Sequence, residues 1–446
     1  MKHKIVLIIA FVTISMHSQK TWSLDECISY AIENNLELNN LEYSEASESE
    51  KHKQSYRNLL PKIQGTSYYN INYGRSLDPI SNNYVNTSFF ANTYILSSSV
   101  EIFKGFQKLN MIKASNLLRK AAKEDIQQEK YMLAFRIMSV YYDIRFYEEF
   151  IELSKEQLRI SDANHDFVKR KLELGLLAGA DLYEAESIVA ADKLALAQSE
   201  NQLKEVQLKL IQEMNLQNAM EIKLKESLVA YEDTPYEGTQ DSIYTNALAF
   251  IPVIKSRQLQ LDAAKKEIAV AKGNMYPSLT FIAGYGSGYF ETLVDANNET
   301  LPFWTQIEDN ATGRIEFNLT IPIFNGWAER STVRQKKIEL EVSTNNLNRQ
   351  KQELYKLIQE LLQNQKTLEN ELELSVKKVK TQEITFAIAQ KKYRKGMISA
   401  LELYRAKNFF SNAQSENLQV RIRLKVNKKT LNFYNGLPIF NNIITH

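Results

Sequence analysis

The stretch NLTIPIFNGW, residues 318 to 327, combines two kinds of local structure within ten residues. Its first half alternates polar and apolar side chains with a period of two, which is typical of a β-strand with two different faces. Pro322 has no N–H group to donate to a strand ladder, so it marks where pairing must end, and Gly326 lets the backbone turn. A weaker copy, SSSVEIFKGF, occupies residues 97 to 106. It has no proline, so its bend should rest on Gly105.

Each copy is followed by a segment that the sequence predicts to be one long helix. Residues 106 to 174 contain no glycine and no proline, and they would span roughly 100 Å if continuous. Apolar residues recur at spacings of three and four, as at Leu182, Ala185 and Val189, and Asp192 interrupts this stripe. Such helices bury a stripe against neighbouring helices, as in coiled coils. The chain therefore runs from strand directly into long helix, twice.

An internal repeat relates the two copies. GLLAGADLYEA (175–185) matches GMISALELYRA (396–406) at an offset of 396 − 175 = 221, and the same offset aligns 103–106 with 324–327. Upstream, Pro61 aligns with Pro277 at an offset of 277 − 61 = 216, so the second copy has the longer loop between its strands.

The predicted organisation is a signal peptide at 1–18, a first repeat at 19–216, a linker at 217–240, a second repeat at 241–437 and a tail at 438–446. The predicted strands are at about 64–75, 88–103, 278–290 and 313–324, and the predicted long helices are at 106–174, 180–214, 327–394 and 399–434.

The N-terminus has the pattern of a secretory signal. Lys2 and Lys4 precede the apolar run 5–14, which is too short to span a bilayer, and cleavage is expected near Ser18. Removal of both lysines takes the formal charge from +2 to 2 − 2 = 0, so the mature chain has no electrostatic attraction to nucleic acid. Cys27 is the only cysteine, which excludes a disulfide within the chain, and we interpret it as a small buried residue on a short helix.

The strand windows have one apolar face and one polar face. In 314–323 the apolar face consists of Ile315, Phe317, Leu319, Ile321 and Ile323, and in the looser window 88–103 it consists of Phe90, Tyr94, Leu96, Val100 and Ile102. Alternation alone fits a soluble antiparallel sheet equally well. The signal peptide and the aromatic residues near the strand ends favour tilted membrane strands.

Four strands cannot close a barrel, so the chain must oligomerise. Two copies give eight strands with a filled interior, and three give twelve, the smallest multiple with room for a pore.

The residues at the turns after the two long helices indicate how each helix ends and how the return helix starts. YRKG places cations at the negative end of one helix and Gly396 just beyond it. Ser399 and Glu402 then have the spacing of a capping box that starts the return helix. In the first copy Gly175 follows LEL, and Asp181 occupies the place of Glu402.

At this point the chain resembles the TolC-type outer-membrane efflux protein family. The resemblance rests on SLDECISYAIENN (23–35), the Tyr-Pro strand pair, the joints IPIFNGW and VEIFKGF, and the two paired turns, and it covers essentially the whole mature chain in the family's order. It implies a mostly α fold with membrane β-structure. Three chains would each give four strands to a trimeric 12-stranded β-barrel in the outer membrane, which continues into a long α-helical (coiled-coil) barrel in the periplasm.

The resemblance also implies roles for particular residues. Adaptor docking is expected at the helix tips, and a constriction is expected just inside them. Turn packing is the alternative role for Leu176 and Met397, and helix capping is the alternative for the two acids. Arg405 stands where the family often has a second acid, and Ile398 where it often has a basic residue, so a mixed Glu402/Arg405 ring would select cations less strongly. The expected sites are the docking residues Gly175, Leu176, Gly396 and Met397, the constriction residues Asp181, Glu402 and Arg405, the joints Gly105, Pro322 and Gly326, and the membrane-interface aromatics Phe103, Phe324 and Trp327.

The predicted function is that of a passive exit duct in a tripartite efflux or type I secretion system. The expected partners are two further copies of the chain, a periplasmic adaptor (membrane fusion) protein, an inner-membrane pump of RND, ABC or MFS type, and outer-membrane lipid, with no nucleic acid. We expect no enzyme activity, no cofactor and no metal, because His52 and His165 lie in polar helical stretches without ligand spacing and no phosphate loop or nucleophile motif is present. The alternative function is a structural or adhesive coiled-coil protein of the periplasm or cell surface.

Overall fold

The computed structural model describes residues 21–77, 82–86, 88–217, 219–225 and 239–438. The predicted signal peptide, much of the linker and nearly all of the tail lie outside these residues. The helices are α1 (Leu24–Asn34), α2 (Leu36–Arg57), α3 (Gln107–Glu173), α4 (Gly179–Glu213), α5 (Gln240–Phe250), α6 (Pro252–Gly273), α7 (Phe303–Asp309), α8 (Ala328–Arg394) and α9 (Ala400–Tyr434). The strands are β1 (Thr21–Trp22), β2 (Lys62–Asn72), β3 (Arg75–Leu77), β4 (Tyr84–Asn86), β5 (Phe89–Lys104), β6 (Lys223–Leu224), β7 (Ser278–Phe290) and β8 (Thr312–Thr320).

The duplication is visible in the helix lengths. α1 and α5 have 11 residues each, and α2 and α6 have 22 each. The long helices α3 and α8 have 67 residues each, and the return helices α4 and α9 have 35 each. Their ends lie within two residues of the positions expected from sequence. α7 and the short strands β1, β3, β4 and β6 were not anticipated, because two or three strand residues inside polar loops give no periodic signal.

The chain divides into two compact units. One, here called the strand unit, comprises Leu41–Ile126 and Pro252–Lys351. The other, the helical unit, comprises the described parts of Met1–Asn40, Gln127–Ile251 and Gln352–His446. Helices α2, α3 and α8 contribute residues to both units.

The strand unit is built on a four-stranded antiparallel sheet of order β2-β5-β7-β8. Its register aligns the apolar positions of neighbouring strands, so Leu279 pairs with Leu319 and Phe281 with Phe317. The opposite face pairs Thr280 with Asn318. Large apolar residues of the first face remain exposed, with Ile315 at 72% and Phe317 at 65%. The sheet therefore has one exposed apolar face and one polar face.

The end of β8 and the alternation within β5 differ from the sequence prediction. β8 ends at Thr320 and not at 324, because Pro322 cannot donate to a ladder. In β5 a bulge between Glu101 and Phe103 removes Ile102 from the register. Ile102 was expected on the apolar face. The extra residue shifts the alternation, and Phe103 instead takes the apolar-face position opposite Leu279.

Helix α7 completes the sheet where β8 is too short to pair with β7. The side chain of Gln306 is fully buried and behaves like a strand residue towards Phe290. Its Oε1 accepts from the Phe290 N–H at 2.9 Å, and its Nε2 donates to the Phe290 carbonyl at 3.1 Å. Asn310 Nδ2 donates to the Gly288 carbonyl at 2.8 Å, and Ser287 Oγ donates to the Ile307 carbonyl at 2.6 Å. The bonds to Phe290 and Gly288 satisfy backbone groups of β7 that a longer β8 would have paired.

The helical unit begins with a capped helix. Ser23 Oγ accepts from the Glu26 N–H at 3.3 Å, and the Glu26 carboxylate accepts from the Ser23 N–H at 2.8 Å. Ahead of this cap, β1 pairs in parallel with β6, which lies in the predicted linker. Cys27 on α1 is fully buried, as interpreted from the sequence. An aromatic cluster packs around Phe433, whose ring lies 4.9 Å from Tyr131, 5.1 Å from Phe135 and 5.5 Å from Phe250.

Candidate constriction and docking sites at the helical turns

The two turns that follow α3 and α8 share one backbone design. In the first, the Gly175 N–H donates to the Leu172 carbonyl at 2.8 Å and the Leu176 N–H donates to the Lys171 carbonyl at 2.9 Å. In the second, Gly396 donates to Tyr393 at 2.9 Å and Met397 donates to Lys392 at 2.9 Å. The glycines have φ of +70° and +73°, the left-handed conformation that favours glycine. This is the Schellman arrangement, and it satisfies carbonyls at the end of each long helix.

The return helices start differently. Ser399 Oγ accepts from the Glu402 N–H at 3.2 Å, and the Glu402 carboxylate accepts from the Ser399 N–H at 3.0 Å, which completes the predicted capping box. In the first copy Ala178 has no side-chain oxygen to offer, and only the return bond is made, from the Ala178 N–H to Asp181 Oδ2 at 3.1 Å. Both acids therefore bind the start of their own helix.

The remaining predicted tip residues are open to solvent in the single chain. Leu176 and Met397 are each 66% exposed. Arg405 is exposed, and among the described residues it forms no ion pair with Asp181 or Glu402. The structure thus places Leu176 and Met397 on their turns as surface residues. It does not bring Arg405 and the two acids together within one chain.

A cleft of about 440 Å³ lies beside the second turn. It is formed by α3, the end of α8 and the start of α9. Its lining combines the aromatic rings of Phe167 and Tyr393, which lie 6.0 Å apart, with three arginines, Arg159, Arg170 and Arg394. Arg159 is paired with Glu156 at 2.6 Å. Burial and the nearby Asp181 carboxylate raise the pKa of the Tyr393 hydroxyl, so this phenol stays neutral at physiological pH.

A buried charge cluster joins helices from both repeats. Lys407 on α9 donates to Asp192 on α4 and to Ser161 on α3, and Ser161 Oγ donates to the same Asp192 carboxylate. Lys407 and Asp192 have side chains that are only 4% and 14% exposed. Burial lowers the pKa of Lys407 although Asp192 acts in the opposite direction. Sequence reasoning noted Asp192 as a break in the apolar stripe and missed Lys407, because a single lysine in a polar helix has no distinguishing pattern.

The strand-to-helix joints share a second backbone design. Gly105 and Phe106 have φ of +51° and +57°, and Gly326 and Trp327 have φ of +62° and +66°. At Gly105 an added Cβ would lie 2.9 Å from the Gly273 carbonyl and 2.7 Å from the Tyr276 ring, whereas at Gly326 it would meet nothing within 4 Å. The predicted interface aromatics Phe103, Phe324 and Trp327 are 38%, 78% and 59% exposed.

None of the described helices has an apolar stretch long enough to cross a membrane. Among the same residues, no group of three or more His, Cys, Asp or Glu side chains could hold a metal ion.

Comparison with known proteins decides between a duct and a structural coiled coil. The family model described as outer membrane efflux protein matches residues 27–215 and 243–437, that is, both repeats and most of the chain. The chain belongs to the outer membrane efflux protein family. It is 24% identical over 362 residues to the pyoverdine export outer membrane protein OpmQ of Pseudomonas putida, which covers 81% of this chain and 73% of that protein.

Solved structures show the same fold. A membrane protein from Pseudomonas aeruginosa superimposes with a TM-score of 0.80 at 13% identity, covering 96% of this chain and 94% of that one. The CmeC outer membrane channel of Campylobacter jejuni gives 0.78 at 16% identity, covering 94% and 87%. As a member of the efflux family, the protein is an outer-membrane exit duct that acts passively and is not an enzyme. The alternative of a structural or adhesive protein is not supported.

Proposed function

We propose that three copies of this efflux-family chain form one continuous duct across the outer membrane and into the periplasm. One observation carries the proposal: the sheet β2-β5-β7-β8 has two free edges and an exposed apolar face. Strand edges cannot remain open in lipid, and four strands cannot close on themselves. Three copies supply twelve strands, enough for a water-filled interior lined by the polar face.

In this arrangement the joints Gly105, Pro322 and Gly326 mark the point where the wall changes from sheet to helix. The exposed aromatic residues Phe103, Phe324 and Trp327 lie at the membrane interface, where amphipathic rings are favoured. The guanidinium of Arg330 stacks 4.4 Å from the centroid of the Trp327 ring. A cation beside this ring supports a position at the level of the lipid headgroups.

The turns at Gly175 and Gly396 receive a periplasmic adaptor, which links the duct to an inner-membrane pump. The exposed side chains of Leu176 and Met397 provide apolar contacts, and the neighbouring cleft with Arg170 and Arg394 provides donors for an acidic or carbonyl-rich partner surface. Because this reading gives the duct no selective pocket, the pump, and not the duct, selects the cargo.

Oligomeric state tests the proposal directly. The purified protein should require detergent for extraction, and it should migrate in SDS as a trimer that dissociates to the 51.5 kDa chain, less its signal peptide, only on heating. Extraction into detergent-free buffer as a monomer would exclude the duct. Substitution of Leu176 and Met397 by Ser should leave the trimer intact and abolish its cross-linking to the periplasmic adaptor in cells. Retained cross-linking would remove these two residues from the docking site.

The constriction can be tested separately from helix capping. Glu402→Gln keeps an oxygen for the Ser399 N–H but removes the charge, and Asp181→Asn does the same for Ala178. If these acids line the pore, the double variant should conduct more and select cations less strongly in planar bilayers, since the acidic ring disappears. Unchanged conductance and selectivity would assign them to capping alone.

A further inference from the structure

The free edges of the sheet carry exposed apolar side chains at their ends near the joints. On the β2 side, Leu60 and Ile63 are 63% and 69% exposed, and on the β8 side, Ile323 and Phe324 are 94% and 78% exposed. The inference below rests on the trimer proposed above and specifies how two copies meet.

The internal repeat fixes the register of each hairpin. Ile63 pairs with Ser98 in the first repeat, and the two offsets carry this pair onto 63 + 216 = 279 and 98 + 221 = 319. Leu279 and Leu319 are indeed partners in the second repeat of the same chain. Gly65 with Leu96 maps in the same way onto Phe281 with Phe317. The same two offsets therefore describe the three-dimensional pairing as well as the sequence.

The chain contains one further ladder, β5 with β7, which joins the last strand of the first repeat to the first strand of the second. In a ring of repeats, β8 of one chain and β2 of the next form the equivalent junction. We propose that β8 pairs with β2 of a second copy in the register of β5 with β7. Leu96 with Tyr285 maps to 96 + 221 = 317 and 285 − 216 = 69. The resulting pairs are Phe317 with Tyr69, Asn318 with Tyr68, Leu319 with Ser67 and Thr320 with Thr66.

This register keeps the two faces of the sheet intact across the junction. Phe317 and Tyr69, 65% and 66% exposed in the single chain, meet on the apolar face. Their pairing repeats the aromatic contact of Phe281 with Phe317, whose ring centroids lie 5.1 Å apart. A slip of one residue would turn apolar side chains of β8 towards the polar face, which the sheet pattern disfavours.

The joints extend the correspondence. Gly105 packs against Tyr276, and the equivalent residue for Gly326 is Leu60 of a second copy, from 276 − 216 = 60. The open space at Gly326 and the exposed Leu60 are thus complementary. The correspondence does not extend to the helices. A Cβ added at Gly273 would lie only 2.7 Å from the Cβ of Gln107, and the residue equivalent to Gly273 in the first repeat is Arg57. The ladder, and not the helix packing, sets the register.

Disulfide trapping tests the register in the full-length protein. In a Cys27→Ala background, the pairs Asn318→Cys with Tyr68→Cys and Phe317→Cys with Tyr69→Cys are oxidised and then fully denatured without reductant. Neighbouring antiparallel pairs alternate between Cα separations of about 4.5 and 5.5 Å, so one pair of each geometry is sampled. We expect covalent trimers, on the order of tenfold more abundant than for the shifted pairs Asn318→Cys with Asn70→Cys or Thr66→Cys, which exceed disulfide reach.

The pair Asn318→Cys with Thr280→Cys is the matched control, because these residues face each other within one chain. It should cross-link without joining subunits. Preferential trapping of a shifted pair would overturn the register while leaving the trimer in place. Absence of any intersubunit cross-link in a protein that remains an SDS-resistant trimer would overturn the strand junction. A Cys27→Ala protein that is monomeric in detergent would overturn both the junction and the proposed duct.

Discussion

The two helical turns have the same backbone and different surroundings. Near the second turn Phe386, Ala389 and Leu403 form a buried cluster, against which Ile160, Tyr393, Ile398, Ala406 and Phe410 pack. Around the first turn the apolar side chains are open, with Leu174, Leu176 and Tyr183 exposed by 72%, 66% and 73%. Only the second turn has a hydroxyl cap, from Ser399. Duplication thus preserved the turn itself, and the two copies have diverged in what holds each turn in place.

The charge cluster with Lys407 joins α3 and α4, the first helical hairpin, to α9, so removing this lysine should have the largest effect. Lys407→Met leaves the Asp192 carboxylate buried beside Ser161 without its cation, and breaking a buried pair costs about 3–5 kcal/mol. Hydrogen exchange should rise in α3 and α4 near the first turn more than at the second turn.

The double variant Lys407→Met with Asp192→Asn is the control. It removes both charges, so most of the lost stability should return. Equal stability of the single and double variants, measured by thermal denaturation in detergent, would show that the buried charge is not what holds the first hairpin.

The two turn glycines should respond alike. Gly175→Ala and Gly396→Ala each place a side chain in the left-handed conformation, at a cost of about 1–2 kcal/mol, and each has open space around it. Local hydrogen exchange at each turn measures this cost. A much larger loss at Gly396 would mean that the neighbouring apolar cluster, and not the backbone conformation, determines the need for glycine.

Exchanging the caps should produce the smallest effect, with opposite signs. Ser399→Ala removes one side-chain bond to the helix start and should destabilise α9 by about 1 kcal/mol. Ala178→Ser adds the missing cap and should stabilise α4 by up to a similar amount, since Asp181 already makes the return bond. Exchange of the first-turn amides checks both. If these amides exchange no more slowly in Ala178→Ser than in the unsubstituted protein, the first turn does not tolerate the capped geometry.

Sequence was sufficient for the features that repeat. Unbroken helical stretches, alternating strands and paired glycines gave the long helices, the four sheet strands and both turns. It was insufficient where a single residue changes the geometry. The bulge at Ile102 keeps an apolar sequence pattern while shifting its phase, and the early end of β8 depends on how far Pro322 disrupts pairing. The Lys407 cluster joins residues 215 and 246 positions apart, a contact that helix periodicity cannot reveal.

The side chain of Gln306 has a consequence for how copies find one another. By supplying an amide where β8 has not yet begun, it seals that part of the β7 margin against addition of a foreign strand. In the described sheet, the margins left available are the outer sides of β2 and β8. A newly exported chain can therefore pair only through the strand edges that another copy of the chain fits. The covered edge of β7 directs assembly as much as the free edges of β2 and β8 do.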